Sequence, residues 1–74
     1  MEKIKDLDTV ALLRDIPSKK LHRGDVGTVV AVLSATMAEV EFVDESGKAT
    51  YVGALKKSNL IKLRLEAVPA WIIG

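Results

Sequence analysis

Cysteine is absent from this sequence, which removes disulfides, thiolate nucleophiles and sulfur-ligated metals together. Histidine occurs once, at His22, and a lone imidazole without a thiolate cannot make an ordinary zinc site. Aromatic residues are scarce: Phe42, Tyr51 and Trp71 are all there are, so no row of rings for stacking bases is evident. Charge of either sign is not in excess, since 11 basic residues against 10 acidic leave a net +1. That is far from the basic balance of a dedicated nucleic-acid binder. No apolar run approaches the length of a membrane span. The opening MEKIKDLD has no apolar stretch of the kind a signal peptide needs. Repeats and low-complexity tracts are lacking too. The expectation is a cytoplasmic protein that carries no cofactor and no metal.

What remains is a chain of 74 residues, enough for one domain. A chain this short buries only roughly 60% of its unfolded surface, so the core is small. Its organising stretch is residues 21–33, LHRGDVGTVVAVL. Gly24 and Gly27 flank Asp25 and Val26, and a paired glycine spacing marks a sharp reversal or bulge. Asp25 can accept a nearby backbone N–H and hold the turn. Residues 28–33 are almost all β-branched or aliphatic, the composition of a strand. Val29, Val30 and Val32 break strict alternation, so either both faces are covered or a bulge brings neighbours to the core. Phosphate-cradling glycine loops need further glycines or a lysine and a following helix; a valine-rich strand follows here.

The rest reads as further strands. Residues 1–6 are polar and expected to be flexible. Residues 7–14 form a first strand, held short by Pro17; a helix capped by Asp8 is the alternative. Pro17 biases Ile16 to extended backbone and opens an exposed loop with Ser18, Lys19 and Lys20. Residues 34–37 turn the chain. Residues 38–43 alternate cleanly, with Val40 and Phe42 inward and Glu39 and Glu41 outward. Residues 44–48 make a hairpin turn with Gly47 in the left-handed conformation, and residues 49–52 return. One turn of 3₁₀ helix fits within 53–58, and a last strand runs through 59–66. The expected core is Val10, Leu12, Val26, Val30, Val32, Val40, Phe42, Val52, Leu55 and Ile61. Five short strands in so small a chain predict a closed or partly closed all-β barrel, SH3-like and mostly antiparallel, over residues 7–66.

Residues 67–74, AVPAWIIG, are set apart by an abrupt apolar shift. Pro69 excludes a regular helix or a central strand through that point. Val68, Trp71, Ile72 and Ile73 either plug one end of the domain or dock on another chain, and the second reading is preferred, giving self-association or a protein partner.

No catalytic grouping emerges. His22 as a general base would need an oriented partner and a pocket, and an exposed loop histidine is the simpler reading. Asp44 and Glu45 are explained by turn chemistry. Ser18, Thr28 and Ser46 have no base partner visible in sequence. Basic groups gather in two loops, Lys19, Lys20, His22 and Arg23 in one and Lys56 and Lys57 in the other; if adjacent, they would offer phosphate contacts.

The run from Arg23 to Val30, RGDVGTVV, resembles the turn and second strand of KOW-type modules in ribosomal proteins and transcription elongation factors. It also resembles SH3-like accessory subunits of redox and nitrile-hydrating enzymes. More closely, LDTVAL at residues 7–12, Asp15 to Pro17, GDVGTVV at 24–30 and EVEF at 39–42 resemble an uncharacterised family of small bacterial proteins, a domain of unknown function. That resemblance covers roughly residues 7–63 and implies a small barrel with no assigned activity or binding residue. The expectation is therefore a non-enzymatic interaction or accessory module, with a KOW-like nucleic-acid module as the alternative.

Overall fold

The computed structural model describes residues 3–64. They form strands β1 (Thr9–Leu12), β2 (Val26–Val32), β3 (Met37–Val43), β4 (Ala49–Lys56) and β5 (Leu60–Lys62). The order across the single sheet is β4-β3-β2-β1-β5, and each neighbouring pair is antiparallel. The all-β class is as expected; the closed barrel is not. Among the described residues β4 pairs only with β3, and β5 only with β1 through Val10↔Lys62, Ala11↔Ile61 and Leu12↔Leu60. With three residues in β5, the sheet stays open and keeps two edges.

The β3–β4 hairpin follows its sequence signature. Gly47 sits at φ 84°, where a side chain is disfavoured. Asp44 Oδ1 accepts the Ser46 and Lys48 N–H groups at 2.9 and 3.0 Å and the Ser46 hydroxyl at 2.6 Å. Those donors, the Ser46 hydroxyl first, hold its carboxyl below the usual range. β4 is longer than residues 49–52, because pairing runs unbroken from Phe42↔Tyr51 to Met37↔Lys56. The 3₁₀ turn accordingly comes later, at Lys57–Asn59.

Core phase in β2 and β5 departs from expectation. Val10, Leu12, Val40, Phe42 and Leu55 are buried as foreseen, whereas Val26, Val30, Val32, Val52 and Ile61 are exposed. β2 begins at Val26, so Gly27 and Val29 point inward and Val26 and Thr28 outward. Val30 is outward by the same alternation, and a register shift between Val29 and Ala31 then sets Ala31 beside it, opposite outward-facing Glu39. In β5 the inward residue is Leu60, and Ile61 lies opposite outward-facing Ala11. Val29, Ala38, Leu60, Leu21 and Ile4 complete the core instead.

Loops close the ends of that core. Pro17 starts a 3₁₀ turn (Pro17–Lys19), Ile16 before it stands at φ −127° and ψ 81°, outside the helical region, and Lys20 reverses the chain at φ 55°. Ile16 then bridges Leu21, which is buried. Asp25 Oδ2 accepts the His22 N–H at 2.8 Å, as its place beside Gly24 suggests, and Asp15 Oδ1 accepts that of Arg23. At the other end Ile4 is buried, and Asp6 Oδ1 accepts the Val32 N–H at 2.8 Å. Residues 4–6 are thus packed against the sheet, where the sequence suggested a flexible lead-in.

Asp8 ties this lead-in to β5. Its Oδ2 accepts the Lys5 N–H at 2.7 Å and lies 3.4 Å from Lys62 Nζ. The Lys5 bond foremost, against the opposing effect of burial and with help from Lys62, lowers its pKa. A carboxylate lowered on folding contributes stability that is present above its unfolded value, about 3.9, and lost as pH falls through the folded value. Asp8→Asn should therefore destabilise the protein near neutrality. Its gap from wild type in urea midpoint should close as pH is lowered toward about 2; a constant gap would mean the charge is not responsible.

Candidate interaction surfaces

Among the described residues the sheet has one packed face and one open face, and pairing defines what the open face shows. Ile61, Ala11 and Val26 form a row across β5, β1 and β2. Thr9, Thr28, Glu41 and Val52 form the next across β1 to β4, and Ala31, Glu39 and Ala54 another. Val26 and Val52 each keep 50% of their surface and Ile61 49%. Glu39 and Glu41, outward as expected, run down β3 between these apolar positions and are half-buried among them. The surface is thus apolar with an acidic line through it. Sequence reasoning missed it by assigning Val26, Val52 and Ile61 to the core; the signal that could have found it was the inward glycine at position 27.

The two basic loops stand apart. Lys19 Nζ lies 5.7 Å from the centre of the Tyr51 ring, and Lys20 borders a shallow hollow with Phe42 and Thr50, so both sit near the start of β4. Lys56 pairs with Met37 at the other end. At about 3.4 Å per residue, Tyr51 and Lys56 are roughly 17 Å apart along the strand. His22 is exposed with Nδ1 3.8 Å from Asp25 Oδ2, so carboxylates are interleaved with this loop. Lys19, Lys20, His22 and Arg23 therefore do not merge with Lys56 and Lys57 into one patch. Lys57 instead joins Lys3, Lys62 and Arg64 around an open hollow of about 880 Å³ floored by Ile4 and Leu13. Widely separated segments supply that rim, so no local motif announces it.

Val68, Trp71, Ile72 and Ile73 lie outside the described residues. Among the described residues no helix is long and apolar enough to cross a membrane.

Comparison with curated proteins and with solved structures finds no match. Residues 6–62 do match one family, described as Domain of unknown function (DUF4926), and this span takes in all five strands. The chain belongs to the DUF4926 family.

Proposed function

We propose that this protein is a non-enzymatic interaction module that docks another protein chain on the open face of its sheet. The observation carrying this reading is the half-exposed apolar set Val26, Val52 and Ile61 around half-buried Glu39 and Glu41. Exposed apolar surface rimmed by polar groups is characteristic of interfaces. The partner chemistry that fits is apolar side chains flanking a lysine or arginine that meets the acidic line. Val68, Trp71, Ile72 and Ile73 add a second apolar contact for a partner or for self-association. An SH3-like arrangement is supported by the strand order and by the 3₁₀ turn that leads into β5 beside β1.

A photo-crosslinking residue placed at Val26 or Ile61 tests the docking face in extracts of the source cells. Discrete adducts are expected from both positions, absent when the same group is placed at Lys20, and lost on Glu41→Lys with the strand spectrum unchanged. Identical adducts from all sites, or none, would overturn the reading.

A KOW-like nucleic-acid module is the second reading, supported by the resemblance of residues 23–30 and by the basic side chains at 19–23 and 56–57. Because those loops are separated, titration of labelled single- and double-stranded RNA and DNA at physiological salt should give binding weaker than about micromolar. Micromolar or tighter binding that weakens on changing Lys19, Lys20 and Arg23 to alanine would favour this reading instead.

A further inference from the structure

Among the described residues β4 is the long free edge of the sheet: eight residues, Ala49–Lys56, against three in β5. Free edges are normally guarded by proline, by charge or by brevity. Between the bulge at Thr50, where the register against β3 shifts, and Lys56 the edge has none of these, since YVGAL carries no charge and no proline. The parity of its backbone is set by the Lys57 N–H, which donates to the Thr36 carbonyl at 2.8 Å and so faces β3. Alternation places Leu55, Gly53 and Tyr51 toward β3 as well. The N–H and C=O groups of Val52, Ala54 and Lys56 then point away from the sheet. No hydrogen bond to them from the described residues is present beyond the β3 ladder.

We propose that two copies of this chain pair along β4, antiparallel, about a two-fold axis through Gly53. A symmetric edge pair must place outward-facing residues opposite one another, which leaves few registers. An axis through Val52 sets Lys48 against Lys56 at both ends, a like-charge clash. An axis through Ala54 slides the overlap toward Lys57, where the strand gives way to the 3₁₀ turn. With the axis at Gly53, Val52 and Ala54 of one copy exchange both backbone bonds with Ala54 and Val52 of the other, and Tyr51 meets Leu55. No charged side chains of one sign are opposed. Lys56 and Lys57 of each copy then come beside the other copy's 44–48 turn, where Asp44 and Glu45 outweigh Lys48 and leave a net negative charge. The occupant of this edge is thus a second copy, selected by strand parity and by charge at both ends. It is independent of what docks on the open face.

Sedimentation velocity on the full chain over micromolar to millimolar concentration reads the result. The wild-type chain should dimerise reversibly. Lys56→Glu with Lys57→Glu, and separately Glu45→Lys, should each weaken the dimer roughly tenfold. An equimolar mixture of the two variants should restore it, because both junctions of the mixed pair are again opposite in sign. Val52→Pro, which removes an outward N–H and leaves the β3 ladder intact, should abolish it. Glu41→Lys should leave it unchanged, which separates this surface from the open face. A monomer at all concentrations, a mixture that fails to recover, or a dimer that survives Val52→Pro with its strand spectrum retained overturns the proposal.

Discussion

Replacing Phe42 with alanine should lower the free energy of unfolding by about 3–5 kcal/mol. The side chain is 2% exposed and lies between Gly27 of β2 and Tyr51 of β4, with the Tyr51 ring tilted at 6.4 Å between centroids. It is the largest side chain in the buried cluster, so truncation leaves a cavity that short strands cannot close. Small domains have roughly 5–10 kcal/mol in total, so the variant should be close to unfolding at room temperature. Urea melts followed by circular dichroism check this through the midpoint at constant slope. A loss under about 1 kcal/mol would show that the ring is not packed as described.

Gly27→Ala should be the next most damaging change, roughly 1–3 kcal/mol, although it adds a single methyl group. A Cβ at this position would stand 2.8 Å from the Glu41 carbonyl oxygen, 2.9 Å from Val40 Cγ1 and 3.0 Å from Phe42 Cδ1. The first obstacle is backbone held in the β2–β3 ladder, so it cannot swing aside as a surface side chain would. Phe42→Leu in the same chain should not rescue the variant, because it relieves one of three contacts. A measured rescue would place the strain in the ring and not in the ladder. Gly24 offers the contrast: a Cβ there meets nothing within 4 Å, and its φ of +91° alone disfavours other residues.

These two glycines show what could be read from the chain and what could not. Gly24, Asp25, Gly47 and Asp44 act locally, so their turns were legible from a few neighbouring residues. Val40 and Phe42 were legible because β3 alternates with charged partners. β2 was not, since valine suits either face and only packing against Phe42 and Val40 decides which one turns in. Ile61 failed for the same reason: Leu60, Ile61 and Leu63 can be phased either way until pairing with β1 selects Leu60. The closed or partly closed barrel was inferred from strand count, but closure depends on strand length and tilt, which composition does not encode. Nor could the separation of the two basic loops be seen, because it follows from β4 running on to Lys56.

The strand order also has a kinetic side. β2, β3 and β4 are joined by short turns and form a meander whose pairings link residues close in sequence. β1 and β5 come from opposite ends of the described chain, yet they must meet through Val10↔Lys62. Closing that long loop costs the most chain entropy and is repaid by a ladder of only three residue pairs. Formation of the meander should therefore precede docking of β5, which sets the overall contact order and slows folding relative to a simple hairpin stack. On that order Leu60, carried on the last strand to arrive, should seal the core only after the β2–β4 half has chosen its inward face.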